Sequence, residues 1–393
     1  MGGYVRDYLL NKESKDIDIE IYGVSSFSKL EKILIEFGAV NSVGKSFGVC
    51  KLKAFGLDLD FSFPRTDSKI FSGHKGFEVT IDSSLDYAKA ASRRDFTINA
   101  IGYDVQNKQI LDPYLGIDDL NNKILRAVDI SKFAQDPLRV LRAVQFSARF
   151  DLTLNEELFV LCKTMVQNNA LHELPKERIF EEIKKLLLKS TTVSNGVKLL
   201  KELGTFEYFS ELNKLNETQF ANTLESLDKM RSLLSANVQT DVALMLAILI
   251  YRLNMRDCDN FLKKLTNEKK LIASVLGILK AKESFSLDGY TQYELHILAT
   301  KVNIERFVLF LQATTQSKRT LSNIDKLKSK AKTLNILNAQ AEAILGGKDV
   351  LSLGLEPSKE FSSILKKAYR AQISGSFDNY TDAIKWLKKE LFT

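Results

Sequence analysis

Asp16 and Asp18 stand two residues apart in KDIDIEIYG, a stretch whose polar and apolar residues alternate. On a strand that spacing puts both carboxylates on one side. Two like charges a few ångströms apart repel, and one stays protonated unless a cation lies between them. A divalent metal is the simplest such cation. With only three histidines and three separated cysteines in the chain (Cys50, Cys162 and Cys258), the ligands are oxygens and zinc is disfavoured. A third carboxylate, Asp60, follows in LDLDFSFPR. A DxD pair by itself is an ordinary feature of solvated strand edges.

Other side chains extend the set. Gly2-Gly3 leads into Val5-Arg6-Asp7, and further on come RRDFTINA (Arg93 to Ala100) and DPLRVLRAVQFSARF (Asp136 to Phe150). Glycines let backbone N–H groups approach a phosphate without Cβ interference, and Arg6 adds charge. Asp136 and Arg139 share a helix face. A carboxylate accepts hydrogen bonds and a guanidinium only donates. Such a pair matches the Watson–Crick edges of cytosine and adenine, an amino donor beside a ring acceptor, and mismatches uracil and guanine. The plainer reading is that Asp136 caps the helix that Pro137 opens, and one carboxylate has lone pairs for both tasks. By contrast Gly44-Lys45-Ser46 is a decoy. A P-loop needs glycine five residues earlier, where Ala39 stands, and the segment leads into a strand-like run.

The elements that must hold these residues alternate over the first 130 positions. VRDYLLN reads as a helix and DIDIEIYG as a strand. SSFSKLEKILIEFG reads as a helix with a serine cap and a glycine stop. GVCKLKAF and LDLDFSF read as strands joined in a hairpin at Gly56, and NKQILDPYLG repeats the strand-to-turn pattern. From about residue 131 the texture is helical, with no proline between Pro175 and Pro357, and VALMLAILIYRL reads as a fully buried helix. The expected fold class is α+β: a small mixed-sheet head over 1–130, a helical neck over 131–190, and an all-helical body and tail over 191–393.

Composition agrees. The 393 residues are 27% charged and 45% hydrophobic, with no apolar run long enough to span a membrane and no signal peptide, so the expected location is cytoplasmic. The three cysteines suit a reducing compartment. Of the net charge of +7, residues 1–150 contribute 21 basic against 20 acidic side chains and the remainder 35 against 29. A balanced front and a basic back suit a catalytic head on a polyanion-binding body, or simply a solvated lysine-rich helical surface.

The ordered set from residue 1 to about 180 resembles the class II tRNA nucleotidyltransferase/poly(A) polymerase family of the polymerase-β-like superfamily. The tail ILGGKDVLSLGLEPSKEFSSILKKAYRAQISG looks like the C-terminal segment of its CCA-adding members. The resemblance implies addition or repair of the tRNA 3′-terminal CCA from CTP and ATP, with Mg²⁺ and release of pyrophosphate. It implies Asp16 and Asp18 as metal ligands, Asp60 as a third carboxylate near the attacking hydroxyl, and Gly2, Gly3 and Arg6 at the triphosphate. It further implies that Arg94, Asp95 and Asn99 bind ribose and phosphates, that Asp136 and Arg139 read the base, and that Arg142 reaches the triphosphate. Residues 66–86, including His74, resemble the flexible loop tied to the switch from C to A addition.

Three positions depart from that pattern. Gln135 stands where the family has Glu, and Gln145 where many members have Arg. Met1 stands where a preceding strand should end, so the chain is expected to lack its first strand. Neighbouring readings are a poly(A) polymerase, a partial CC- or A-adding enzyme, and an inactive RNA-binding remnant.

Overall fold

The alternation in the front third becomes a four-stranded mixed sheet. Its strands are β1 (Asp16–Glu20), β2 (Ala39–Asn41), β3 (Val49–Ala54) and β4 (Leu57–Ser62), in the order β1-β4-β3-β2. A computed structural model describes residues 1–24, 26–41, 49–69, 77–82, 84–234, 242–285, 289–355 and 359–392. β3 and β4 form the expected antiparallel hairpin, closed at Ala54↔Leu57 around Phe55-Gly56, both with positive φ (55° and 74°). Such a two-residue turn matches the twist of the flanking strands. β1 runs parallel to β4, with Asp16↔Asp58 and Asp18↔Asp60.

One face of this sheet is apolar because alternate side chains point to it. Leu59 and Phe61 of β4 and Cys50 and Leu52 of β3 pack with Phe63, Leu30 and Leu34. The last two come from α2 (Phe27–Leu34), whose N-cap is Ser26, as its sequence indicates. α1 (Gly3–Leu9) precedes β1, and Val5, Arg6 and Asp7 are its buried residues.

The rest of the head is built from short pieces. β5 (Arg65–Lys69) and β6 (Phe77–Ile81) form an antiparallel pair, so much of the segment read as a polar loop over 66–86 is a two-stranded ribbon. Residues 70–76 and 83, His74 among them, lie outside the described residues, as does Gly44-Lys45-Ser46. α3 (Tyr87–Ala91) is capped by Asp86 and leads to a 3-10 turn at Thr97–Asn99. β7 (Gly102–Asp104) and β8 (Gln109–Leu111) form a hairpin, followed by α4 (Gly116–Asn121), β9 (Ile124–Leu125) and α5 (Ile130–Phe133).

α6 (Leu138–Phe150) is the long amphipathic helix carrying the third motif, and it ends at Asp151 in the left-handed region. One correction follows there. The chain beyond 131 is not wholly helical, because that turn sends it back to pair β10 (Thr153–Leu154) with β9. α7 (Glu156–Gln167), α8 (Lys176–Lys189) and α9 (Val193–Glu202) follow, and α6 packs against α8 and α9.

The chain divides into two compact units, residues 1–217 with 260–267, and residues 218–259 with 268–393. In the second, the described elements are helical, and Ala243 to Ile250 are all buried. Its last helices, Gly347–Ser352, Lys359–Ile373 and Tyr380–Phe392, close over Val350, Ala368, Phe377, Ala383 and Leu387. No described helix is long and apolar enough to cross a membrane, and the three cysteines are buried and form no disulfide.

Candidate active site

The face of the sheet opposite the apolar one carries the acids. Asp16 and Asp18 project from β1, and in-register pairing brings Asp58 beside Asp16 and Asp60 beside Asp18. From β3 come the opposing cations. Lys51 Nζ lies 2.6 Å from Asp60 Oδ2, and Lys53 Nζ lies 3.4 Å from Asp58. The hydrogen bond to Asp60, together with the charges of Asp60, Asp16 and Asp18, raises the affinity of Lys51 for its proton. One ammonium thus sits in the field of all three predicted carboxylates.

Among the described residues no three His, Cys, Asp or Glu side chains close around a cation-sized space. The donor set nonetheless suits a hard divalent cation: carboxylate oxygens only, on one strand face, with a positive charge already drawn to them.

A second group is buried at the base of α1. Arg6 is 4% exposed and turns inward. It donates to Asp7 Oδ1 at 2.9 and 2.6 Å and to Asn99 Oδ1, and its guanidinium lies 4.3 Å from the Phe150 ring. Asn99 Nδ2 donates to Asp95 Oδ1 (3.0 Å), and Asp95 Oδ2 accepts Arg142 Nε and Nη2 (2.8 and 2.5 Å). Burial alone would raise the Asp95 carboxyl, but Arg142, Asn99 and Arg139 hold it below its usual range. For Arg142, burial is outweighed by Asp95 and Glu182, and its hold on the proton strengthens.

The four predicted residues Arg6, Asn99, Asp95 and Arg142 are therefore one network. Within it Arg6 and Asp95 make their hydrogen bonds to neighbouring side chains. Gly2 has φ 62°, and its N–H donates to the Ile101 carbonyl at 2.8 Å. A Cβ there would stand 2.8 Å from Arg94 Nη1, so the glycine is what lets Arg94 lie against the turn, with Gly3 opening the helix.

The third group is at the start of α6. Asp136 Oδ1 accepts the Leu138 N–H at 3.1 Å, the expected cap, and Oδ2 faces Arg178 of α8 at 3.9 Å. Arg139 donates to the carbonyls of Lys132 (3.0 Å) and Arg93 (3.1 Å), which orients its guanidinium from the backbone. Gln145 is 1% exposed, inside the helix packing, and its Nε2 has no partner among the described residues.

Sequence reasoning gave no role to five participants: Asp7 and Arg93, which stand inside its motifs, and Glu20, Lys51 and Arg178. Glu20 continues the Asp16, Asp18 row at i+4, yet its side chain is 2% exposed and it accepts Arg93 Nη2 at 3.1 Å and the Tyr22 hydroxyl at 2.7 Å. The period-two pattern could have flagged Glu20. Asp7 pairs with the adjacent Arg6, and Lys51 with Asp60 across the predicted hairpin; nothing local flags Arg93 and Arg178, whose partners are far away in the chain.

Comparison with known proteins gives consistent matches along the length. A family model described as "Poly A polymerase head domain" matches residues 1–126, one described as "Probable RNA and SrmB- binding site of polymerase A" matches 151–215, and one for domain 2 of tRNA nucleotidyltransferases matches 238–387. The CCA-adding enzyme of Streptococcus sanguinis (strain SK36) is 28% identical over 392 residues, covering 98% of this chain and 91% of that protein. The multifunctional CCA protein of Xylella fastidiosa (strain 9a5c) is 35% identical over 190 residues, 48% of this chain and 44% of its own. Among solved structures, the Bacillus stearothermophilus CCA-adding enzyme in complex with CTP shares the fold with a TM-score of 0.74 at 23% identity, over 99% of this chain and 92% of that one.

Proposed function

We infer, from a chain that belongs to the tRNA nucleotidyltransferase/poly(A) polymerase family, that this protein adds or repairs the 3′-terminal CCA of tRNA from CTP and ATP. The observation that supports the site most directly is the in-register pairing of Asp18 with Asp60 beside Asp16, on the sheet face away from the core. The reaction is a nucleotidyl transfer: a 3′-hydroxyl attacks the α-phosphate, and pyrophosphate leaves.

Charge accumulates on the phosphoryl oxygens during that reaction, so catalysis is mainly positioning and charge stabilisation. Asp16 and Asp18 would hold a divalent cation, Mg²⁺ in this proposal, which would supply positive charge to the α-phosphate and the leaving group. Asp60 faces the same side and orients the incoming hydroxyl, with Lys51 holding its other approach. Arg94, at the Gly2-Gly3 turn, and Arg142, aimed by Asp95, present their guanidinium groups to the triphosphate. Asp136 and Arg139 accept from and donate to the base, so the protein takes the place of a template. Residues 1–130 would act as the catalytic head, 131–190 as the neck, and the basic remainder as the tRNA-binding body, acting in the cytoplasm.

The test is extension of three tRNA transcripts, ending before CCA, after C, and after CC, with CTP, ATP or both and Mg²⁺. Three additions followed by arrest support the reading. A long A ladder reassigns the chain to poly(A) synthesis, and a stall after one or two steps to a partial enzyme. Binding without extension makes it an RNA-binding remnant.

A further inference from the structure

Glu20 is the third carboxylate in the row that begins with Asp16 and Asp18, and it is the one withdrawn from solvent, with its side chain 2% exposed. A buried carboxylate persists only when paired and hydrogen-bonded. Here Arg93 Nη2 supplies the charge at 3.1 Å and the Tyr22 hydroxyl a hydrogen bond at 2.7 Å. Arg93 Nε is itself buried with no partner among the described residues, so Glu20 is what fixes that guanidinium.

The main chain of the same residue continues the connection. The Arg93 carbonyl accepts Arg139 Nη2 at 3.1 Å, and the Lys132 carbonyl accepts Arg139 Nη1 at 3.0 Å. Lys132 Nζ in turn donates to Ser92 Oγ at 2.8 Å, which ties the 92–93 backbone to α5. Two hydrogen bonds joined through Arg93, one to its side chain and one to its carbonyl, therefore connect β1, two residues after Asp18, to the guanidinium at the start of α6.

We propose that Glu20 is a positioning residue for nucleotide selection, fixing Arg139 relative to the carboxylate strand through Arg93. The proposal rests on the reading of Arg139 as a base-selecting group. An arginine that reads a base edge must be held to a fraction of an ångström, because a loosened donor accepts mismatched edges almost as well as matched ones. Anchoring it to the strand that carries Asp16 and Asp18 keeps base and α-phosphate in one frame.

The test uses the full chain and a tRNA transcript ending before CCA, measuring kcat and KM for CTP and for UTP. Glu20→Gln keeps the shape and removes the charge. The expected result is a CTP-over-UTP preference lowered tenfold or more, with the loss for CTP mainly in KM. Arg93→Lys is expected to act in the same direction, and the double variant to be no worse than the poorer single one within about twofold, as for two steps of one path. A purely structural role would lower thermal stability and leave the preference unchanged. A preference within twofold of wild type in Glu20→Gln overturns the proposal, and if that variant does not fold, Arg93→Lys decides by the same criterion. Arg139→Ala separates the two levels. If it keeps the wild-type preference, the base-selecting reading fails and this inference with it. If it relaxes the preference while Glu20→Gln and Arg93→Lys do not, this inference alone fails.

Discussion

Arg142 places two guanidinium nitrogens, Nε at 2.8 Å and Nη2 at 2.5 Å, on a single carboxylate oxygen of Asp95. The other Asp95 oxygen is taken by Asn99 and by the Phe96 N–H. A carboxylate satisfied on both oxygens inside the protein is an orienting device, and it settles which way Arg142 points.

The first prediction follows from that pair. Asp95→Asn leaves Arg142 without its counter-charge and is expected to destabilise the fold by about 3–5 kcal/mol at neutral pH, the usual cost of breaking a buried ion pair from one side. Because the folded-state carboxyl lies below its usual value of 3.8, the stabilisation is complete above that value and fades as pH falls through the lower folded-state pKa. Denaturant unfolding between pH 7 and pH 3 should show the gap between wild type and variant constant at first and closing only below about pH 4. A gap independent of pH throughout would assign the loss to packing.

The carboxylate face gives the second. Asp18→Asn removes a proposed metal ligand from an exposed strand position, so folding should survive while turnover falls by about a hundredfold or more. Thermal unfolding with and without Mg²⁺ reads the cause. Wild type gains stability with metal by mass action on the folded state, and the variant should gain less or none. Equal gains would mean that the cation sits elsewhere.

Asp136 has two candidate tasks that one substitution separates. Asn caps helices about as well as Asp, so Asp136→Asn should change stability by less than about 0.5 kcal/mol. It replaces one acceptor by a donor, and the preference among nucleotides should shift by about 1–3 kcal/mol, read as relative kcat/KM for CTP, ATP, UTP and GTP. Unchanged preferences with unchanged stability would leave Asp136 as a cap only.

The hairpin between β3 and β4 carries a local strain unconnected with chemistry. Phe55 is 83% exposed with φ 55°, followed by Gly56 at φ 74°. Left-handed backbone penalises a bulky side chain, and Asn-Gly is the preferred pair for such turns. Phe55→Asn should stabilise the protein by roughly 0.5–1 kcal/mol in urea unfolding with no change in turnover. Destabilisation would show that the ring makes a compensating contact.

What could be read along the chain is what depends on near neighbours. The alternation of KDIDIEIYG decides that Asp16 and Asp18 share a side of a strand, and the serine cap and apolar period of SSFSKLEKILIEFG decide a helix, because both periods arise from backbone sterics within a few residues. The order of the motifs carried the family. The ribbon at β5 and β6 escaped notice because its strands are polar, and the β10 excursion because two residues are too short for any period. Tertiary structure alone decided the register that sets Asp18 beside Asp60, the inward turn of Arg6, the burial of Asp95, and the path from Glu20 through Arg93 to Arg139. Those contacts join residues separated by 47 positions in Arg142–Asp95, 73 in Arg93–Glu20 and 93 in Arg6–Asn99. A charge finds its partner across such distances only through the packing of the elements that carry both, and no local pattern in the chain encodes that choice.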